Sequence, residues 1–258
     1  MSSGAGTFAE YAVAAEKNLA PKPADLTFEQ AAAAPMAGLT ALQALRDVGK
    51  VQPGQKVLIN GAGGGIGTFA VQIAKSFGAE VTGVCSTSKV DLVRSLGADH
   101  VLDYSQEDFT QSDERYDFIL DNVLNHSLTG LLRALRPKGT LVPNGGQFWK
   151  RWTASTGVIL VKAPLLSLFV SQRIHPVHLS SEQDALFALR ELLESGKVTT
   201  VIGRTYPLSQ TPEAIAYFGE GHARGKVVVT MERSAGLTGS GGGTVGPAQR
   251  QPEPFRGT

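Results

Sequence analysis

Two hydrophobic spacings alternate along the middle of this 258-residue chain. Short continuous apolar runs are typical of buried strands, and apolar residues three and four apart are typical of helices. Strands separated by such helices predict right-handed βαβ units, which form a parallel sheet. The predicted strands are Val57–Ile59, Glu80–Cys85, His100–Asp103, Tyr116–Leu120 and Thr140–Pro143, and the predicted helices between them are Ile66–Phe77, Lys89–Leu96 and Leu128–Leu135. Residues 50–145 are therefore predicted to form a doubly wound α/β fold.

The pattern changes on either side of this region. Downstream, the predicted elements are an apolar helix at Gly157–Val170, an amphipathic helix at Ser181–Ser195 whose first residue is its N-cap and which Gly196 ends, and a last strand at Val227–Val229. Upstream, Phe8–Val13 alternates as a half-buried strand does. A strand without neighbouring strands cannot form a domain of its own.

The chain is accordingly divided into three parts. Residues 1–27 are predicted to be a remnant of another domain, and residues 28–233 to be the main α/β domain. Residues 234–258 are rich in Gly and Pro and contain almost no apolar side chain to bury. Such a segment does not recover the entropy lost on ordering, so it is predicted to be a disordered tail.

Charge and composition exclude several classes of protein. Lys and Arg total 24 and Asp and Glu total 23, and the resulting net charge of +1 does not favour a nucleic-acid partner. No apolar run has the roughly 18 residues of a membrane span, and residues 1–6 do not resemble a secretory signal. The single cysteine, Cys85, excludes an intramolecular disulfide and is predicted to pack at a strand end. We expect a cytoplasmic protein with no membrane or nucleic-acid partner.

The strongest chemical signal is the glycine-rich stretch Asn60–Gly67, which lies between the first predicted strand and the first predicted helix. In a strand–turn–helix frame with a second strand close behind, such a stretch is typical of dinucleotide binding. Glycines let the backbone turn sharply and come close to a pyrophosphate, and the amides at the helix start point at the anion. The alternative is a tight turn without a ligand.

The end of the second predicted strand indicates the nucleotide. NAD sites place an Asp or Glu there to accept a hydrogen bond from the ribose 2′-hydroxyl. Here Ser86 and Lys89 occupy the region and no acid occurs before Asp91, which favours a 2′-phosphate and therefore NADPH. The alternative roles are helix capping for Ser86 and Ser88 and a solvated charge for Lys89.

Three classes of enzyme use such a glycine loop. Short-chain dehydrogenases need a Tyr-xxx-Lys pair, and neither Tyr206 nor Tyr217 is followed by a lysine at that spacing. Methyltransferases that use S-adenosylmethionine commonly need an acid at the end of the second strand, where this chain has none. Medium-chain reductases remain.

The stretch Gly61–Tyr104 resembles the cofactor domain of the quinone-oxidoreductase-type medium-chain dehydrogenases/reductases. Ala34–Ala41 is similar to the entry helix of this family, Arg136–Val142 to its penultimate turn and Gly225–Val229 to its closing strand. The resemblance covers about residues 5–231. It implies a Rossmann fold beside a GroES-like β-barrel, and NADPH-dependent hydride transfer to a quinone, enal, ketone or aldehyde.

The resemblance also implies a set of cofactor-binding residues. Pyrophosphate contacts are implied for Gly63, Gly64, Gly65 and Ile66, contacts with the 2′-phosphate for Ser86, Lys89 and Tyr104, and positions near the cofactor cleft for Thr40 and Asn122. The alternative for Tyr104 is packing at a strand edge. No catalytic acid or base is named.

Complete members of the family begin with a catalytic β-barrel, most of which this chain is expected to lack, together with any catalytic-zinc ligands. Two hypotheses follow: an NADPH-dependent oxidoreductase with a small electrophilic substrate, and a truncated NADPH-binding protein without turnover. The resemblance further implies a homodimer formed through the sheet edge. No metal site is predicted, because Pro176 interrupts the pair His175 and His178 and no Cys or carboxylate accompanies it.

Overall fold

The computed structural model describes residues 7–144, 171–177 and 183–231. The strands are β1 Lys56–Asn60, β2 Glu80–Cys85, β3 His100–Asp103, β4 Tyr116–Asp121, β5 Leu135–Pro143, β6 Arg173–Ile174, β7 Ile202–Pro207 and β8 Lys226–Thr230. The helices are α1 Phe28–Ala33, α2 Pro35–Leu42, α3 Gly67–Ser76, α4 Val90–Ser95, α5 Leu128–Ala134, α6 Gln183–Glu194 and α7 Thr211–Gly219.

The first six strands form one parallel sheet in the order β3-β2-β1-β4-β5-β6. The direction of winding changes between β1 and β4, where Asn60 pairs with Asp121 at the carboxyl ends of the two strands. Sheets of this kind bind ligands in the crevice outside such a switch point. The predicted doubly wound fold is confirmed.

Both faces of the sheet are covered by apolar side chains, which explains why β1 is an unbroken hydrophobic run. Val57 and Ile59 point into a cluster that includes residues of α2, α3 and α6. Leu58 points the other way, into a cluster that includes residues of α5. All three are fully buried, so the central strand is fixed from both sides.

The predicted last strand is confirmed as β8, but its partner was not predicted. β7 and β8 form a separate two-stranded parallel sheet. β7 contains Gly203, Arg204 and Thr205, all exposed, and therefore lacks the apolar run that identifies buried strands. The short helices α1 and α7 were likewise not predicted.

One predicted boundary and one predicted strand are wrong. β5 begins at Leu135, which was expected to end a helix, because Leu135 pairs with Tyr116 before a bend that contains Lys138 at φ +66°. Phe8–Val13 is not a strand, because no strand in the described ranges pairs with it, and Tyr11 is 89% exposed.

Three predicted features lie outside the described residues: the apolar helix at Gly157–Val170, the Ser181 cap, and the tail at residues 234–258. The remainder of the amphipathic helix is confirmed as α6, and Gly196 follows it with φ +68°. The division into a remnant, a main domain and a tail stays a prediction.

Gln72 connects α3 to the segment that leads into β7. Its amide nitrogen donates to the Thr199 carbonyl at 2.9 Å, and its amide oxygen accepts from the Thr199 amide and hydroxyl at 2.8 and 3.0 Å. The Gln72 side chain is buried. It therefore ties the two-stranded sheet to the helix that starts at the glycine loop.

We expect Gln72→Ala to lower the free energy of unfolding by about 1–3 kcal/mol, because the three hydrogen bonds with Thr199 and a fourth to the Thr68 carbonyl are lost together. Urea denaturation followed by circular dichroism measures the change. The control is Gln52→Ala at an exposed position, expected to stay within about 0.5 kcal/mol. Equal losses in the two variants would contradict the assigned role.

Candidate functional site

The glycine loop joins β1 to α3, as predicted, and its shape depends on glycine at two positions. Gly61 has φ +79°, a conformation that L side chains rarely adopt. A Cβ atom on Gly67 would lie 2.1 Å from the Gly61 carbonyl oxygen. The amides of Gly61 and Ala62 donate to the Val84 carbonyl at 3.0 and 2.9 Å, which anchors the loop on β2.

The loop presents two amides at the start of a helix. Within the part of the chain that the structure describes, no backbone carbonyl accepts a hydrogen bond from the amides of Gly65 and Ile66. These residues directly precede α3, which has ten residues. Amides of this kind, at the positive end of a helix dipole, favour a bound anion.

Lys89 lies across the loop. A Cβ atom on Gly63 would meet the Lys89 side chain at 2.7 Å, so the lysine stem packs directly on that glycine. The Lys89 ammonium donates to the Ala223 carbonyl at 2.9 Å. Burial lowers the pKa of Lys89, and Arg224 lowers it further while Cys85 opposes the shift. A partly desolvated cation of this kind gains from a nearby anion.

A second lysine, Lys226, contacts the loop and was not predicted as a site residue. A Cβ atom on Gly65 would lie 3.0 Å from Cδ and 3.6 Å from Nζ of Lys226. Burial lowers the pKa of Lys226, and its side-chain ammonium has no hydrogen-bond or ion-pair partner among the described residues. The sequence signal is a lysine directly before the three valines of β8.

Backbone contacts bring the two lysines to the loop. The Gly225 amide donates to the Gly63 carbonyl at 3.1 Å, and Gly64 and Gly225 form an isolated parallel bridge. The segment before β8 therefore lies on the glycine loop, far from it in sequence but adjacent in space. The contact of Gly225 with the loop therefore places Lys226 next to Gly65.

The residues predicted for the 2′-phosphate lie at neighbouring strand ends. Ser86 follows β2, and its hydroxyl is 3.3 Å from that of Ser88. It makes no side-chain cap hydrogen bond, so helix capping is not its role in this structure. Tyr104 follows β3, is 53% exposed, and donates its amide to the Cys85 carbonyl at 3.1 Å. Ser86 and Tyr104 are therefore brought to the same edge of the sheet.

Asn122 lies beside the loop, at the switch point. Its side-chain amide donates to the Asn60 carbonyl at 3.2 Å and accepts from Asn144 at 2.9 Å. The fully buried Asp121 accepts from the Asn60 side chain at 2.9 Å and from two backbone amides of the next turn. These hydrogen bonds hold the ends of β1 and β4 in place.

Thr40 lies on a helix and not on the loop or at a strand end. It lies in α2, is buried, and donates its hydroxyl to the Met36 carbonyl at 2.7 Å within its own helix. The Thr40 hydroxyl therefore already donates its proton within the helix. A position near the cofactor cleft stays a prediction for Thr40.

Neither metal ligation nor a membrane span is supported by the described ranges. In them, no group of three or more His, Cys, Asp or Glu side chains is placed to hold a metal ion, so zinc does not fit them. His178 lies outside these ranges. No helix in residues 7–144, 171–177 or 183–231 has both the length and the apolar character needed to cross a bilayer.

The sheet order and the glycine loop define a dinucleotide-binding domain of the Rossmann type. The sequence profile of the family described as "Zinc-binding dehydrogenase" matches residues 96–229. The mouse protein named NAD(P)H oxidoreductase RTN4IP1, mitochondrial, is 36% identical, over 88% of this chain and 61% of its own length. The chloroplast envelope quinone oxidoreductase homolog of Arabidopsis thaliana is 35% identical, over 88% and 69% respectively.

A solved structure agrees with these relatives. The quinone oxidoreductase of Coxiella burnetii superposes with a TM-score of 0.67 at 30% identity, covering 81% of this chain and 62% of its own. The chain therefore belongs to the zinc-binding dehydrogenase family, and the predicted resemblance is confirmed. It spans 61% of the length of the mouse relative. The relatives' names mention mitochondria and chloroplasts, and a cytoplasmic location stays a prediction.

Cys85 is buried at the end of β2, as predicted. Burial raises the pKa of the Cys85 thiol to about 11; nearby Asp103 adds to the shift and Lys89 opposes it. The thiolate is the form that reacts with alkylating agents. Cys85 is therefore protonated and poorly reactive near neutral pH.

We expect iodoacetamide at pH 8 to modify native Cys85 about a hundredfold more slowly than Cys85 in urea, because the native thiolate fraction is about a hundredfold smaller. The native rate should rise about tenfold per pH unit until the pH nears the thiol pKa of about 11. Mass spectrometry of timed samples measures both rates. A native rate within tenfold of the unfolded rate would show that the thiol is accessible and ionised.

Proposed function

We propose that this chain forms the cofactor domain of an NADPH-dependent oxidoreductase. The hydride acceptor is a small electrophilic molecule: a quinone, an enal, a ketone or an aldehyde. The observation that carries the proposal is the glycine loop with two partly buried lysines packed on it. Its relatives are named NAD(P)H and quinone oxidoreductases, which supports the reaction class.

The residues present fit a nucleotide with three phosphates. The amides of Gly65 and Ile66, together with Gly63 and Gly64, would hold the pyrophosphate, and Lys226 would add a positive charge. Ser86, Lys89 and Tyr104 would hold the 2′-phosphate. Each lysine loses hydration through burial, and a phosphate would offset that cost.

When bound, NADPH supplies the hydride from its nicotinamide ring. The contribution of this chain is to bind and orient the cofactor at the switch point. The hydrogen bonds among Asn60, Asp121 and Asn122 hold the ends of β1 and β4 at a constant separation there. Reduction of a quinone or enal needs little acid catalysis, so no proton donor is assigned to a residue of this chain.

We expect NADPH to bind at least tenfold more tightly than NADH, as measured by fluorescence titration. Lys89→Ala should weaken NADPH about tenfold and leave NADH within about twofold, because one charged hydrogen bond to the 2′-phosphate is lost. Lys226→Ala should weaken both nucleotides by similar factors, because both contain a pyrophosphate.

The matched control is Lys197→Ala, at an exposed position after α6. It removes the same charge and should change neither affinity by more than about twofold. Preferential binding of NADH by the unmodified chain would overturn the assignment of Ser86 and Lys89.

Steady-state oxidation of NADPH by the 258-residue chain, with a panel of quinones, enals and ketones, tests the reaction itself. We expect substrate-dependent oxidation with a kcat of about 1 s⁻¹ or more for at least one quinone. Gly67→Ala should abolish it, because a Cβ there collides with the Gly61 carbonyl. Gly219→Ala, where a Cβ meets nothing within 4 Å, is the control glycine.

The second hypothesis, NADPH binding without turnover, is favoured by one observation: the chain aligns with 61% of the length of the mouse relative. Tight NADPH binding with no oxidation of any substrate would support it and reject the oxidoreductase activity of this chain. The homodimer stays a prediction.

A further inference from the structure

An acidic residue lies beside the proposed 2′-phosphate site, although β2 itself ends without one. The acid is Asp103, the last residue of β3. It pairs with Cys85, the last residue of β2, because the two strands are parallel and in register there. The tertiary fold thus brings a carboxylate to the strand end at which NAD sites hold one.

The Asp103 carboxylate is held by hydroxyl and amide donors. The Thr87 hydroxyl donates to Oδ2 at 2.5 Å, and the Ser105 amide and hydroxyl donate to Oδ1 at 2.9 and 2.8 Å. These hydrogen bonds lower the pKa of Asp103, so the carboxylate is ionised at neutral pH. No cation forms an ion pair with it in the part of the chain that the structure describes.

The residues around Asp103 are those proposed to bind the 2′-phosphate. Thr87, its hydrogen-bond partner, directly follows Ser86 and belongs to the turn that ends at Lys89. Tyr104 directly follows Asp103. An unneutralised negative charge therefore lies among three residues that would attract a phosphate.

We propose that Asp103 is a specificity-determining residue whose carboxylate opposes the 2′-phosphate of NADPH. The hydroxyls of Thr87 and Ser105 donate hydrogen bonds to this carboxylate, as a ribose 2′-hydroxyl does in an NAD site. The inference rests on the proposed nucleotide site. Repulsion between the two negative groups weakens NADPH binding. A carboxylate released from its hydroxyl donors accepts the 2′-hydroxyl of NADH instead.

Two substitutions should change the nucleotide preference in opposite directions. Asp103→Asn removes the charge with almost no change of shape, and should raise the ratio of the NADH to the NADPH dissociation constant about threefold to tenfold. Thr87→Val removes one hydroxyl donor, and should lower that ratio about twofold or more. A turn that is merely loosened would weaken both nucleotides together and leave the ratio unchanged.

Fluorescence titrations of the full chain with NADPH and with NADH give the ratio without any turnover. They are run at low and at high ionic strength, because an effect between exposed charges becomes smaller in salt. The matched control is Asp113→Asn, an exposed acid in the loop before β4. It removes the same charge at the other end of the sheet and should change the ratio less than twofold.

Opposite changes of the ratio in Asp103→Asn and Thr87→Val, reduced by salt, would support the inference. Equal changes for both nucleotides, or no change beyond that of Asp113→Asn, would overturn it while the proposed cofactor site stands. If the unmodified chain binds neither nucleotide, the proposed function fails, and the inference fails with it.

Discussion

The close approach of α3 to the carbonyl of Gly61 is the constraint on which the site depends. Gly67, the first residue of α3, has no room for a side chain. Because it is a glycine, the helix can start close to the end of β1. This short distance brings the amides of Gly65 and Ile66 to the crevice at the sheet's switch point. A looser turn would leave the positive end of the helix dipole too far from a bound phosphate to matter.

Two lysine side chains add positive charge to the backbone amides of the glycine loop. Lys89 packs on Gly63 and Lys226 on Gly65, and both are partly buried. They come from two distant parts of the chain: Lys89 follows β2, and Lys226 starts β8. The hydrogen bond between Gly225 and Gly63 connects the two parts. The proposed nucleotide site therefore joins segments that are distant in sequence, such as Lys89 and Ala223, which are 134 residues apart and share a hydrogen bond.

Asp103 illustrates why the sequence rule for nucleotide preference is incomplete. The rule examines the end of the second strand, where this chain has Ser86 and Lys89. A parallel sheet places the end of the third strand beside it, and Asp103 contacts Thr87 there. In the proposed nucleotide site, attraction by Lys89 and repulsion by Asp103 would act on the same phosphate, and their balance would set the preference.

The glycine loop and the strands β1 to β5 could be predicted from the sequence, because both leave local patterns, whereas β6 was not predicted. Buried strands such as β1 and β2 require continuous apolar runs, and the turn into α3 requires glycine where a side chain would collide. Lys226, Asp103 and β7 have no local pattern that marks them: an isolated lysine, an isolated acid and a polar strand are common anywhere. Their neighbours become known from the folded structure, because those contacts join residues that are distant in sequence or lie on separate strands.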